Sequence, residues 1–180
     1  MGDFAGHPFR GNQWIQGGSS LGTVYHGSSA RVEKPSLDKV QSRDYGFYGP
    51  GFYVASDPSM TKGYGRTVTA YTVSPEATVL HAEMLSHSVP GLRDAILAHA
   101  QDNWRPAAVA RGKSAEFDDE MAHVLKSPAS WKDAVTRFAQ DIKVDVVKFG
   151  RGEIVVRNPS VLTAIPKGGK SWAANPPRRA

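Results

Sequence analysis

Over its first half the chain alternates short β-favourable runs with turn formers. Thr23–Tyr25 is one such run and His26-Gly27 ends it. Phe52–Ala55 is a second, Val68–Val73 a third and Thr78–His81 a fourth. Ser56-Asp57-Pro58 stops the second run and reads as an N-cap with proline near a helix start, which predicts a short helix through Met60 to Tyr64. The middle changes period. Leu92, Ala95, Ile96 and His99 fall at helical spacing after Ser88 and Pro90. Glu116–Leu125 predicts a second helix, with acidic residues in its first turn where the helix dipole favours them. Ser130-Trp-Lys-Asp133 has the form of a capping box and predicts a third, running to about Ile142. Strands resume at Val144–Phe149, Glu153–Val156 and Val161–Ile165. Strands, then helices, then strands predict an α+β domain of two antiparallel sheets with a helical insertion in the middle.

The ends read differently. Residues 1–20 hold five glycines and little periodicity, which predicts a flexible arm, with Phe9 and Trp14 available to pin it to the body. Within the arm, Gly6-His-Pro-Phe-Arg-Gly-Asn-Gln-Trp14 resembles a stretch found in bacteriophage-encoded proteins. Residues 21–165 are expected to form a single domain, a natural size for one core. Within it, 28–50 carries Pro35, Gly46, Gly49 and Pro50 and cannot be one regular element.

Composition adds constraints. A chain of 180 residues with 40% hydrophobic and 22% charged residues is ordinary for a soluble domain. It has no apolar run of the roughly 20 residues a membrane helix needs, and no signal-like h-region. Cysteine is absent, so disulfides and thiolate chemistry are excluded. These features together predict a cytoplasmic protein without a membrane partner. The net charge of +5 is concentrated in residues 166–180, where Lys167, Lys170, Arg178 and Arg179 face no acid. The body is close to neutral, and the basicity belongs to a flexible C-terminal tail.

Candidate chemistry lies in His26-Gly27, Tyr53, Tyr64 and Glu153. Ten residues separate the two tyrosines, and Glu153 opens an apolar run far downstream. A pair of tyrosine faces suits a flat cationic ring such as the nicotinamide of NAD. A histidine offers a hydrogen bond to a ribose hydroxyl, and Gly27 lets backbone approach a carboxamide. Cleavage of the glycosidic bond generates oxocarbenium character, which a carboxylate beside the ribose stabilises. Each residue also has a plain reading, as strand end, sheet filling or solvated charge. Their order and local context carry the argument.

That order resembles the ADP-ribosyltransferases, specifically the His-Tyr-Glu branch that includes diphtheria toxin and the poly(ADP-ribose) polymerases. The resemblance covers about residues 23–72 and 144–162. It implies a split pair of antiparallel sheets, NAD as co-substrate and no metal. It also implies that His26 binds the adenosine-side ribose, Tyr53 and Tyr64 sandwich nicotinamide, and Glu153 stabilises the transition state. Thr61 stands where the commonest form has serine, three positions before the second tyrosine, and would bond the carboxamide. Relatives that modify arginine or guanine carry Glu or Gln two residues before the catalytic Glu; here Arg151 stands there. The expectation is a mono-ADP-ribosyltransferase acting on a macromolecular acceptor, with protein preferred to nucleic acid. The alternatives are ADP-ribosylation of DNA or RNA, an NAD glycohydrolase, and a non-catalytic NAD-binding or virion-associated protein.

Other patterns lead nowhere. Ala164-Ile-Pro-Lys-Gly-Gly-Lys-Ser171 nearly fits a phosphate-binding loop, but the residues after it, with Pro176-Pro177, cannot supply the helix such a loop needs. His81-Ala-Glu83 lacks the cysteines of a zinc deaminase. His7, His87, His99 and His123 show no ligand spacing.

Overall fold

The computed structural model describes residues 4–39, 51–82, 89–124, 126–150 and 152–167. Its strands are β1 (Ile15–Gly17), β2 (Thr23–Ser28), β3 (Phe52–Val54), β4 (Thr67–Val73), β5 (Thr78–His81), β6 (Val146–Lys148), β7 (Ile154–Val156) and β8 (Leu162–Ala164). They form a five-stranded sheet in the order β1-β5-β6-β7-β3 and a three-stranded sheet in the order β2-β4-β8. The architecture is α+β, as expected, but the larger sheet is mixed rather than antiparallel. β5 and β6 are parallel, with Val79 opposite Val146. The helical segment between them accounts for this, because a long crossover brings the chain back to the starting end of the sheet.

The first strand of the smaller sheet also differs from expectation. It does not stop at His26-Gly27 but continues to Ser28, because Thr67–Val73 is long enough to pair all six residues from Thr23 to Ser28. That extension matters for the site.

The described part of the N-terminal segment is not a flexible arm. β1 pairs with β5 through Ile15–Leu80 and Gly17–Thr78, and Trp14 and Ile15 are each only 2% exposed. The Trp14 ring lies 5.2 Å from Phe9 and 5.8 Å from Phe138, so the two aromatics do pin the segment. Two of the glycines that suggested flexibility, Gly17 and Gly18, serve close approach instead: the Gly18 N–H donates to the Pro75 carbonyl at 3.2 Å, where a side chain would collide with Ser74. The C-terminal tail lies outside the described residues from 168 onward.

The helical layer comprises α1 (Leu92–His99), α2 (Arg105–Ala110), α3 (Ser114–Val124) and α4 (Pro128–Asp141), with a π-helical turn at Ala100–Trp104. Sequence periodicity anticipated α1 and α3. It placed the start of α4 three residues late: Pro128 sits in the first turn and Ser127 at the N-cap, so Ser130 is already helical. A proline at the first helical position costs no hydrogen bond, and this sets the boundary. α2 went unpredicted because Pro106 reads as a breaker; near the helix start its missing N–H has no partner to lose. Among the described residues no helix is long and apolar enough to cross a membrane.

Two apolar clusters result. One lies between the helices and the larger sheet, around Trp131, Phe138, Leu80 and Val155. The other fills the space between the sheets, around Val24, Phe52, Tyr71 and Ile154. Asp145, 3% exposed, ties strands to loop by accepting the Thr78 N–H at 2.9 Å and the Asn158 amide at 2.7 Å. Because Trp14 fills the first cluster, Trp14→Ala should destabilise the protein by about 3–5 kcal/mol. Urea denaturation of both proteins checks this; a loss below about 1 kcal/mol would mean that the N-terminal segment is not part of the cooperative unit.

Candidate functional site

Among the described residues, one isolated backbone bridge links the two sheets. Tyr25 of β2 and Ala55, just beyond β3, exchange both backbone hydrogen bonds at 2.8 Å. Beside this pair His26 donates Nδ1–H to the Tyr53 carbonyl at 2.8 Å. A carbonyl only accepts, so the bond fixes the tautomer and leaves the Nε2 of a neutral His26 as an acceptor. Burial lowers the His26 pKa from its ordinary 6.5, with the bond to Tyr53 a smaller opposing effect.

Past that point β2 and β3 diverge, and Gly27 lies in the opening. Backbone groups of alternate residues in an antiparallel strand point to the same side. Tyr25 directs its N–H and C=O toward Ala55, so Gly27, two residues on, directs its own toward the split and away from β4. The Gly27 peptide groups have no partner there among the described residues. They are a donor and an acceptor side by side, on a residue that is itself buried.

The turn at Pro58–Tyr64 is a 3₁₀ helix lying across this opening. It starts as the sequence indicates: Asp57 caps it, accepting the Ser59 N–H at 2.8 Å, with Pro58 following. It packs directly on Gly27, where a Cβ would collide with the Thr61 carbonyl and lie 3.0 Å from the Thr61 Cβ. The missing side chain at Gly27 therefore admits the turn itself. Thr61 is 3% exposed, and its hydroxyl donates to the Pro58 carbonyl at 2.7 Å. Tyr64, at the end of the turn, is 78% exposed.

Glu153 reaches the same place from the other side. β3 pairs with β7 (Tyr53 with Val155, Val54 with Ile154), and one further residue sets Glu153 opposite Ala55. The β6–β7 hairpin closes just there, the Phe149 N–H donating to the Glu153 carbonyl at 2.8 Å. Glu153 is half-buried, its Oε2 3.3 Å from where a Cβ on Gly150 would be. No hydrogen bond or ion pair holds the carboxylate among the described residues. On the far side of the hairpin tip, Gly152 receives the end of the Met60 side chain.

The structure links Gly27, Thr61 and Glu153 through a chain of contacts, Gly27 on Thr61, then Met60 on Gly152, next to Glu153, while Tyr64 stands exposed at the end of the same turn. The other two predicted residues sit differently. Tyr53 is half-buried and packs against the helix-side cluster. His26 turns toward the cluster between the sheets, its ring 4.3 Å from Phe52. Sequence reasoning overlooked Phe52 and Met60; nothing local distinguishes them from other apolar residues.

An open depression of about 520 Å³ lies elsewhere, lined by Phe4, Arg10, Asn12, Gln16 and Ser20 among others, and by none of the six predicted residues. Its polar side chains already serve the local backbone: Arg10 bonds the Ala5 carbonyl, Asn12 that of Phe9 and Gln16 that of Gln13. Beside it Ser20 and His81 are 3.2 Å apart, but burial, with Lys148 nearby, lowers the His81 pKa to about 4, which makes it a poor base near neutrality. No group of three or more His, Asp or Glu among the described residues is arranged to hold a metal.

The arrangement defines an α+β protein whose two sheets are bridged at Tyr25 and Ala55. No protein-family model matches the chain, and the comparisons with curated proteins and with solved structures found no match either.

The His26 environment makes a direct prediction. With its folded pKa lowered, the ring is neutral near pH 7 and the stability it contributes is lost as pH falls below 6.5 through the folded value. NMR titration of the His26 ring should give a midpoint below 6.5; a midpoint at or above it would contradict the buried, Nδ1-bonded geometry.

Proposed function

We propose that the protein is a mono-ADP-ribosyltransferase of the His-Tyr-Glu type, using NAD as co-substrate. One observation supports this reading above others: the turn bearing Tyr64 packs on Gly27 through Thr61 and, through Met60, on Gly152 beside Glu153. A donor and an acceptor side by side at Gly27 complement a carboxamide, which presents the reverse pair. The exposed Tyr64 ring is free to stack on nicotinamide. Tyr53 would form the opposite wall from its seat on the helix-side cluster. Thr61 braces the turn, and its hydroxyl oxygen retains capacity to accept from the carboxamide.

In this mechanism Glu153 acts as the carbon–nitrogen bond between ribose and nicotinamide stretches. Its carboxylate stabilises the developing oxocarbenium, and nicotinamide leaves with the bonding electrons. The neutral His26 accepts a hydrogen bond from a ribose hydroxyl through Nε2. The acceptor nucleophile then closes the new bond to the ribose carbon and loses its proton. Arg151, two residues before Glu153, favours a protein acceptor over guanine or arginine chemistry; its position lies outside the described residues. A cytoplasmic site of action belongs to the same proposal.

The test is nicotinamide release from NAD together with NAD affinity by calorimetry. Glu153→Gln should bind NAD as the parent does while turnover falls about 100-fold or more, because it removes charge that matters chiefly in the transition state. Unchanged turnover sinks the role of Glu153. Tyr64→Ala should weaken NAD by about 1–3 kcal/mol, on the scale of base–aromatic stacking. Binding of NAD by the parent without nicotinamide release would point to the non-catalytic reading, and release without transfer to protein, DNA or RNA to a glycohydrolase.

A further inference from the structure

The Glu153 carboxylate has no hydrogen-bonding partner among the described residues, so packing must orient it. Two contacts do this. On one side its Oε2 lies against Gly150. On the other, Gly152 is covered by Met60, whose Sδ lies 3.1 Å from where a Cβ on Gly152 would be and whose Cε would collide with it. Met60 is 47% exposed, so it is not an ordinary core residue. Its backbone is fixed at the start of the Pro58–Tyr64 turn, the Met60 N–H donating to the Asp57 carbonyl at 3.1 Å. One residue later Thr61 packs on Gly27.

From this geometry we infer that Met60 is a positioning residue that sets the Glu153 hairpin against the turn bearing Tyr64. It couples the carboxylate to the nicotinamide-stacking ring across the cleft. A thioether suits the task, being unbranched and polarisable and able to lie over a bare glycine. The carboxylate and the stacked ring must hold one separation for the oxocarbenium to be stabilised, and displacement of a positioned group by about 1 Å can cost up to 100-fold in rate. This role rests on the proposed function; the structural part, that Met60 holds the hairpin, does not.

The experiment uses the full chain and three proteins: parent, Met60→Ala and Met60→Leu. Met60→Ala should lower kcat for nicotinamide release by about tenfold, with KM within about twofold, since the group positioned acts mainly in the transition state. Met60→Leu, which refills most of the volume, should recover most of that loss. Amide exchange at Phe149, whose N–H closes the Glu153 hairpin, should be faster in Met60→Ala and near the parent rate in Met60→Leu. Unaltered kcat in Met60→Ala overturns the positioning role, and so does a raised KM with kcat intact. If the parent releases no nicotinamide, the enzymatic reading fails on its own, and Phe149 exchange alone decides whether Met60 holds the hairpin. Equal exchange in parent and Met60→Ala overturns that too.

Discussion

Everything in the cleft depends on the reciprocal backbone pair between Tyr25 and Ala55. Among the described residues it is the one isolated bridge between the two sheets, and both of its hydrogen bonds are 2.8 Å long. Such bonds contribute only about 0.5–1.5 kcal/mol each net, but leaving these groups buried without partners would cost more. The pair therefore fixes where β2 and β3 stop being neighbours, and so which residue faces the gap. Phe52 keeps the gap from closing. Its ring lies 4.3 Å from His26 and meets Tyr71 edge-on at 5.9 Å, filling the corner behind the split. A smaller side chain there would let the sheets collapse toward each other, because interiors tolerate few voids.

Polar groups are used differently inside the body and at the cleft. In the body most of those described are committed to partners, the buried Thr78 hydroxyl being an exception. Asp145 joins Thr78 to Asn158, and Asp141 accepts from Trp104 at 2.6 Å and from His99 at 2.9 Å, tying the π-helical turn and α1 to the end of α4. Arg137 lies 4.2 Å over the Trp104 ring at the same place. At the cleft, the Gly27 peptide groups and the Glu153 carboxylate have no such partners among the described residues. Polar groups left open cost stability unless something binds them, and this is the usual character of a ligand site.

How much was legible in the sequence differs residue by residue. The Asp57 cap and the turn to Tyr64 were, because capping is a contact between near neighbours. So were Thr78–His81, a short β-favourable run now buried on both faces, and α1, where burial on one face imposes a period on the residues themselves. β1 was not, because Gln-Gly-Gly beside Ile15 has no strand pattern and becomes a strand only when β5 offers an edge. The continuation of β2 through Gly27 was hidden for the same reason: glycine signals an end locally, and β4 overrides it.

The sequence by itself determined the α+β order of elements, the helical middle, the capped turn, and the residue types able to meet a cationic ring and a developing positive charge. These rest on period, capping and side-chain chemistry, all of which act within a few residues. Only the tertiary structure decided that β5 and β6 run parallel, that the N-terminal segment pairs with β5, and that the Pro58–Tyr64 turn packs on Gly27. It alone also set Met60 on Gly152, beside Glu153. Those features depend on which distant strands pair and in what register. That choice is made by burial and hydrogen bonding over the whole molecule, and no local run of residues encodes it.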